Sequence, residues 1–249
     1  MKHILPVTLL ALFMTYANAL DFGALKDAIK SSGSNSTTTS NAGVSSLSNE
    51  EASGGLKEAL TQGVGKAVST LGATNGFLSN KEVKIPLPKS LQKIEKGMKL
   101  MGMGKQSDEL VLKMNRAAEA AVPEAKALLV SSIKQMTLAD AKAILMGPQD
   151  AATQYFKKTT SAQMSQKFLP IVQKATENVQ LAASYNKYAE MGSQFGVVKK
   201  EDANIEQYVT NKTLDGVYFM IAKEEAAIRK DPLGQASSLL KKVFGSVAK

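Results

Sequence analysis

The sequence predicts an all-α protein, built as a single multi-helix bundle of about eight to ten short helices. Apolar residues recur three and four positions apart along most of the chain after residue 47, which is the spacing of one helix face. Residues that favour helix N-termini precede several of these runs. One short extended segment is expected near residues 83–87, and Pro86 and Pro88 keep it out of the centre of any sheet.

The first residues, MKHILPVTLLALFMTYANAL, have the layout of a secretory signal peptide. Lys2 and His3 form a short polar start, an apolar run follows, and small residues suit cleavage after Ala19. The apolar run of about 13 residues is shorter than the ~20 residues that cross a bilayer. Residues 1–19 therefore predict an exported, periplasmic protein that has no transmembrane segment after cleavage.

Two short segments precede the helical domain. In residues 20–30, LDFGALKDAIK, apolar residues have helical spacing and predict a short amphipathic helix. Residues 31–46 consist almost entirely of Ser, Thr, Asn and Gly, a composition that cannot form a packed core and predicts a flexible linker. The helical domain is expected to occupy residues 47–249.

The domain opens with LSNEEASGGLKEALTQGVGKAVSTLG, in which Ser48 and Glu51 have the spacing of a capping box. Glycines inside this helix, including Gly63, predict that a neighbouring helix, rather than a ligand, approaches closely. In the extended segment that follows, VKIPLP, we expect Ile85 and Leu87 to point inward.

Helical periodicity resumes after this segment and continues along the chain. The periodic stretches are KSLQKIEKGMKLM, SDELVLKMNRAAEAA, PEAKALLVSSIKQM, LADAKAILM, DAATQYFKKTT, AQMSQKFLPIVQKATENVQLAASYNKYAEM, TLDGVYFMIAKEEAAIRK and GQASSLLKKVFG. The residues expected to begin helices are Ser107, Thr137 with Asp140 three positions on, Ser161 and Thr213. Pro170 is expected to kink its helix.

Composition excludes the commonest catalytic and metal-binding chemistry. The chain has no cysteine, and its one histidine, His3, lies in the expected signal peptide. The mature chain therefore lacks the residues for histidine-containing nucleophilic triads and for the usual zinc, haem and iron–sulfur ligand sets. It also contains no GxxxxGK[ST] phosphate loop and no GxGxxG motif. The sequence thus predicts neither a metal site nor a cofactor.

The chain is basic, with a formal net charge of +9. In the periplasm such a charge favours anionic envelope components such as phospholipid headgroups, whereas nucleic acid is not expected in that compartment. The sequence does not name the partner, and both an envelope protein and an anionic lipid are compatible with it.

The segment KGMKLMGMGK combines methionines and lysines at the end of a predicted helix and in the joint, GMGK, that follows it. Met98 and Met101 continue the apolar stripe of Leu91 and Ile94, so core packing explains them better than a Cu(I) site does. The lysines that lie opposite this stripe or at its flank are Lys89, Lys93, Lys96 and Lys99. Such a row is either a solvated face or a contact with an anionic membrane surface.

A polar cluster is the main candidate for ligand binding. Asn115, Arg116 and Glu119 are spaced so that they share a helix face, and Glu124 follows shortly after. Arg116 and Arg229 are the only arginines in a lysine-rich chain, which predicts that Arg116 forms a buried or networked ion pair. The cluster is either a polar network that fixes helix register or an anchor in which Arg116 binds a carboxylate or phosphate.

Several stretches resemble the bacterial exported proteins grouped as domain of unknown function 4197. They are LSNEEASGGLKEALTQGVGKAV, GFLSNKEVKIPLPKSLQK, GMGKQSDELVLKMNRAAEAAVPEAK, QMTLADAKAIL, YFKKTTSAQM and TLDGVYFMIAKEEAAIRKDP with the later LLKKVFG. The resemblance covers residues 47–245 and implies one helical domain, a Gram-negative envelope setting and no assigned activity or catalytic residue. The family pattern commonly has an acid just before YF, where this chain has Gln154.

Two hypotheses of function follow. The first is a non-catalytic binding or scaffolding module for an envelope component, which is an anionic lipid, an acidic ligand or a protein partner. The second is a carboxylate- or lysine-dependent enzyme that acts on envelope glycans, which requires two facing carboxylates in an open cleft. Candidate carboxylates are Glu119, Glu124, Asp140 and Asp215, and the last two are also candidates for ligand binding or for helix capping and first-turn charge.

Overall fold

Helices form nearly all of the chain that the structure describes. The computed structural model describes residues 48–100, 102, 104–196, 198–199 and 202–230, without the side chains of residues 94, 96, 98, 188 and 191. In chain order the α-helices are α1 (Asn49–Gly72), α2 (Lys89–Leu100), α3 (Gly104–Ala121), α4 (Ala125–Gln135), α5 (Leu138–Met146), α6 (Ala151–Thr176), α7 (Gln180–Gln194) and α8 (Ile205–Lys230). A 3-10 helix, Val122–Glu124, joins α3 to α4. These elements, without any strand in the described ranges, confirm the all-α class.

Two predicted helix starts are confirmed as capping boxes. At the start of α1, the Ser48 hydroxyl accepts from the Glu51 N–H at 3.1 Å, and the Glu51 carboxylate accepts from the Ser48 N–H at 2.9 Å. At the start of α5, Thr137 and Asp140 make the same reciprocal pair at 3.1 and 3.0 Å. Each box satisfies N–H groups that have no partner within the helix.

Three other predicted starts are wrong, because those residues lie inside helices. Ser107 lies in α3, Ser161 in α6 and Thr213 in α8. The Ser161 and Thr213 hydroxyls donate to the carbonyl oxygens four residues earlier, at 2.6 and 2.7 Å, and Ser107 donates to that of Gly104 at 2.8 Å. A hydroxyl satisfied by its own helix need not end it. For this reason α6 and α8 continue through Ser161 and Thr213, and each runs for 26 residues. Pro170 lies inside α6.

The core lies between α8 and the three helices α1, α3 and α6 that pack against it. On α6 every fourth residue from Phe156 to Val172 is buried, which is the spacing of one helix face. On α1, a Cβ added at Gly63 would lie 3.4 Å from the Glu224 Cβ atom on α8. The predicted close approach of a neighbouring helix at this glycine is thus confirmed.

The connection between α1 and α2, residues 73–88, is the longest non-helical stretch of the described residues that runs without a gap. Val83, Ile85 and Leu87 are buried, whereas Lys84 and Pro86 are exposed, which is the alternation of an extended chain. The predicted extended segment, with Ile85 and Leu87 inward, is confirmed. It pairs with no other strand in the described ranges, and its backbone polar groups need other partners.

Some predictions fall outside the described residues. These are the signal peptide (1–19), the amphipathic helix (20–30), the linker (31–46), the C-terminal helix pattern after residue 230, residue Met101 and the side chains of Ile94, Lys96 and Met98. All described helices lie in a compact unit that spans Ser46–Lys249. Among those helices none combines the length and the apolarity needed to cross a membrane.

Candidate functional site

Asn115 on α3 substitutes for a neighbouring strand beside the 73–88 connection. Its Oδ1 atom accepts from the Ile85 N–H at 2.9 Å, and its Nδ2 donates to the Ile85 carbonyl oxygen at 2.9 Å. A third hydrogen bond, from Nδ2 to the Val111 carbonyl oxygen at 2.8 Å, fixes the amide group on its own helix. Because Asn115 is fully buried, these bonds satisfy groups that water cannot reach.

One turn further along α3, the Glu119 carboxylate holds the beginning of the same connection. Its Oε1 atom accepts from the N–H groups of Phe77 and Leu78, each at 3.1 Å. Its Oε2 atom pairs with Arg116 Nη1 at 2.5 Å, and Arg116 Nη2 donates to Asn75 Oδ1 at 2.9 Å. We call Asn115, Glu119 and Arg116 the polar clamp.

The polar clamp keeps Glu119 ionised although the residue is buried. Burial raises the pKa of this carboxyl, but hydrogen bonds from the Leu78 N–H, the Arg116 guanidinium and the Phe77 N–H outweigh burial. The net result is a Glu119 pKa below its ordinary value. The predicted networked ion pair of Arg116 is thereby confirmed, and the partner that it holds is the protein's own backbone.

Side chains from two further helices complete the attachment of the connection. Gln92 on α2 donates a hydrogen bond to the Leu87 carbonyl oxygen at 2.6 Å. The Tyr208 hydroxyl on α8 donates to the Pro86 carbonyl oxygen at 3.1 Å. Burial, with a smaller effect from Asp202, raises the pKa of Tyr208 to about 12, so the hydroxyl stays protonated and remains a donor. The connection is therefore held by α2, α3 and α8 together.

The outer side of this connection forms one wall of an open groove of about 670 Å³, which we call the connection groove. Its lining residues are Leu78, Lys84, Pro86 and Leu87 from the connection, Gln92 and Glu95 from α2, and Asp108, Val111 and Leu112 from α3. Leu112 is 40% exposed although it is a large apolar residue. The groove thus combines an apolar lining with side chains of both charges.

The structure brings together three of the six residues predicted to bind a ligand. Asn115, Arg116 and Glu119 form the polar clamp, whereas Glu124 is exposed at the end of the 3-10 helix. The other two acids lie in different places.

Asp140 caps α5, and hydrogen bonds from Thr137 lower the pKa of its carboxyl group. The same residue lines a groove of about 470 Å³ between α5 and α6. Asp215 on α8 pairs with Lys212 at 3.0 Å and lines a groove of about 240 Å³ beside Lys84. None of these three grooves contains two of the candidate carboxylates. A ligand-binding role for the six residues stays a prediction.

The predicted lysine row on α2 is only partly a basic surface. Lys89, Lys93 and Lys99 are exposed, and the side chain of Lys96 is outside the described atoms. Lys99 pairs with Glu95 at 2.8 Å, and this hydrogen bond, with its charge and that of Asp108, raises the Lys99 pKa. Acids on α2 and α3 therefore offset part of the positive charge of this row.

A second buried carboxylate, Glu225 on α8, was not predicted from the sequence. It accepts from the N–H groups of Ala152 and Thr153, at 3.0 and 2.9 Å, and so caps the start of α6. Arg229 pairs with it at 3.0 Å and donates to the Ile144 carbonyl oxygen at 2.8 Å. The signal that could have revealed this pair is the second arginine, which lies four residues after a glutamate.

The buried carboxylates Glu119 and Glu225 therefore serve the protein's own architecture. No group of three or more His, Cys, Asp or Glu side chains able to hold a metal occurs within the described part of the chain. The fold and the clamp define an all-α protein in which side chains of three helices hold a non-helical connection beside an open groove. The chain belongs to the family of proteins of unknown function DUF4197, whose model matches residues 46–245. No curated protein and no solved structure matches the chain.

Proposed function

We propose that this protein is exported to the periplasm and acts there as a non-catalytic binding or scaffolding module for an envelope component. The observation that carries the proposal is the polar clamp, which fixes an irregular connection along one wall of an open groove. Binding surfaces are commonly loops held by a rigid helical scaffold, because a surface fixed in advance loses less entropy on binding.

The chemistry of the connection groove favours a protein segment as its occupant. Exposed apolar side chains, Pro86 and Leu112, can cover an apolar stretch of a partner. Lys84 on one wall and the acids Glu95 and Asp108 on the others offer contacts to both charges. A purely anionic ligand would meet those two acids, so charge complementarity disfavours it here.

The same arrangement gives little support to the alternative, a glycan-cleaving enzyme. Such an enzyme requires two facing carboxylates in one cleft. Glu119 is buried and bound to backbone N–H groups, while Asp140 and Asp215 line different grooves. We therefore propose binding rather than catalysis.

Site-specific photocrosslinking in the native host tests the groove. A benzophenone amino acid at Leu112 should give a discrete adduct, whereas the same probe at Leu138, a leucine that is 48% exposed outside the groove, should not. Asn115→Ala should abolish the Leu112 adduct, because the groove wall loses its attachment. Equal adducts at both leucines, or a Leu112 adduct that survives Asn115→Ala, would contradict the groove as the binding site.

Export is tested on the same preparations. The protein recovered from the periplasmic fraction should begin at Leu20, as amino-terminal sequencing or intact mass would show. Protein that retains Met1 and remains in the cytoplasmic fraction would contradict the proposed compartment.

A further inference from the structure

The turn that follows α1 contains the only asparagine of the chain that is followed by glycine, Asn75–Gly76. Asparagine is a thermolabile residue, and it is most labile before glycine, because no side chain then hinders attack by the next backbone nitrogen on the asparagine amide. This reaction, deamidation, replaces the side-chain amide by a carboxylate without an enzyme. Its rate in a folded protein depends on how the structure holds the amide and that nitrogen.

The geometry of the turn explains both residues. The backbone φ angle of Asn75 is +70°, a left-handed conformation that asparagine adopts more readily than most residues do. A Cβ atom at Gly76 would overlap the carbonyl oxygens of Thr70 and Leu71 at the end of α1. The labile pair is therefore a consequence of the turn that leads into the 73–88 connection.

Hydrogen bonds restrain both reacting groups. The Asn75 amide oxygen, Oδ1, accepts from Arg116 Nη2 at 2.9 Å. The Gly76 N–H donates to the Ala73 carbonyl oxygen at 2.9 Å, and Gly76 is buried. The attacking nitrogen must lose its proton and contact the Asn75 Cγ atom, so both hydrogen bonds have to open first. The reaction therefore proceeds from a locally opened turn, and its rate depends on how often the polar clamp releases Asn75.

We infer that Asn75 is a deamidation site of this protein and that Arg116 delays the reaction there. The Gly76 nitrogen bonds to the Asn75 Cγ atom, the Cγ–Nδ2 bond breaks, and the proton that the nitrogen lost leaves with ammonia. Water then opens the succinimide ring. Hydrolysis of the bond from nitrogen to Cγ gives aspartate, and hydrolysis of the bond from nitrogen to the backbone carbonyl carbon gives isoaspartate. Neither the reaction nor its restraint depends on the occupant of the connection groove.

The two products differ in their effect on the polar clamp. Aspartate keeps the main chain and the left-handed turn, and its carboxylate remains an acceptor for Arg116. Isoaspartate carries the main chain through the former side chain, which adds one atom before Gly76. The backbone at Gly76 packs too closely against the end of α1 to take up this shift, and the N–H groups of Phe77 and Leu78, which bind Glu119, follow directly. Isoaspartate therefore releases the start of the connection, whereas aspartate does not.

Ageing of the purified protein in mildly alkaline buffer, followed by peptide mapping with mass spectrometry, measures deamidation at Asn75. The folded protein should react there at least about tenfold more slowly than the same protein in concentrated urea, because the turn opens rarely. Arg116→Lys should accelerate the reaction in the folded protein about three- to tenfold, because lysine lacks the planar fork that binds Glu119 and Asn75 together. Arg116→Gln, which also lacks the charge, should accelerate it at least as much.

Two controls accompany this measurement. Gln106→Ala, at an exposed position of the same helix, should change the rate at Asn75 by less than about twofold. Asn80 lies in the same connection but precedes Lys81, and it should stay intact under the same conditions.

The products are tested after separation of the aged forms by charge, with an isoaspartyl methyltransferase as the label for isoaspartate. Hydrogen exchange of a peptide that contains Phe77 and Leu78 should be faster in the isoaspartate form than in unaged protein. Asn75→Asp, which matches the other product, should keep the protection of the wild type. Asn75→Gly retains a residue suited to the positive φ angle but has no amide, so ageing should not change the charge at this position.

Several results would overturn the inference. Equal rates in the folded and the urea-unfolded protein would show that the turn does not restrain Asn75. An unchanged rate in both Arg116 variants would remove Arg116 from the control of the reaction, and a slower rate would mean that its guanidinium activates the amide carbonyl instead of restraining it. Unaltered exchange at Phe77 and Leu78 in the isoaspartate form would contradict the release of the connection.

Discussion

At the residue scale, two glutamates share one design. Glu119 and Glu225 are both buried, each accepts from two consecutive backbone N–H groups, and each pairs with an arginine on its own helix. Both arginines also donate to a second acceptor, Asn75 Oδ1 or the Ile144 carbonyl oxygen. The guanidinium can reach two acceptors in a fixed geometry, which a lysine cannot, and this explains why arginine occurs at these positions.

Gly216 on α8 allows the 73–88 connection to approach the core. A Cβ atom there would lie 2.7 Å from the fully buried Phe77 ring, which is too close for any ordinary contact. We predict that Gly216→Ala lowers the free energy of unfolding. Overpacking costs about 1–3 kcal/mol, and the gain in helix propensity of about 1 kcal/mol offsets only part of it.

Gly65 provides the matched control for this substitution, because it is also inside a helix and a Cβ atom there would have no neighbour within 4 Å. Gly65→Ala should raise the free energy of unfolding by up to about 1 kcal/mol in urea titrations. If both substitutions stabilised the protein equally, the close approach of Phe77 to α8 would be refuted.

At the scale of elements, helix starts were predictable where two signals coincided. Ser48 and Thr137 are each followed three residues later by an acid that completes the box, and both start helices. The three wrong starts are Ser107, Ser161 and Thr213. Three positions after them the chain has no acid but Leu110, Met164 and Gly216. Serine and threonine by themselves predict a start poorly, because the carbonyl of the preceding turn can bind their hydroxyl group.

The clamped connection should loosen as a unit when its central hydrogen bonds are removed. Asn115→Ala removes three hydrogen bonds and leaves the buried N–H and carbonyl of Ile85 without their partner. We expect a loss of about 2–4 kcal/mol in stability and faster amide exchange over residues 83–88.

Hydrogen exchange followed by mass spectrometry would measure this effect on peptides that cover the connection. Gln106→Ala, at an exposed position of the same helix, serves as the control and should leave exchange unchanged. Unaltered protection of residues 83–88 in Asn115→Ala would mean that Gln92 and Tyr208 suffice to hold the segment.

At the scale of the whole molecule, the fold was largely predictable and the site only in part. The spacing of apolar residues along the helices and the three residues of the polar clamp on α3 could be read from the sequence, because residues on one helix have fixed spacings. The hydrogen-bond partners of the polar clamp could not be predicted from the sequence. Phe77 and Ile85 contribute backbone atoms, which every residue type has, so no residue pattern marks them. Glu225 was missed for a related reason, because its burial depends on where α6 begins.

Stability should depend on pH through the carboxylates that the fold keeps ionised. The Glu119 pKa is lower in the folded state than its ordinary value of about 4.3, so its contribution is complete above that pH. The contribution is lost as pH falls through the lower folded pKa. Urea unfolding between pH 7 and pH 3 should therefore show a decline in the free energy of unfolding at the acidic end.

Glu119→Gln should make that decline shallower without abolishing it, because the Asp140 pKa is also lowered by its cap. Glu124→Gln, at an exposed position, should retain the wild-type profile. An unchanged slope in Glu119→Gln would show that the clamp does not hold this carboxyl ionised.

The connection also constrains the order in which the chain can finish folding. The hydrogen-bond donor of the Pro86 carbonyl oxygen is Tyr208, which is 122 residues later in the chain. The Phe77 ring likewise packs against Gly216 on α8. A chain in which α8 has not yet docked leaves the Phe77 ring without its cover. Such an incompletely folded chain presents an apolar ring and unpaired peptide groups to chaperones and proteases, and we expect it to become resistant to them only when α8 docks.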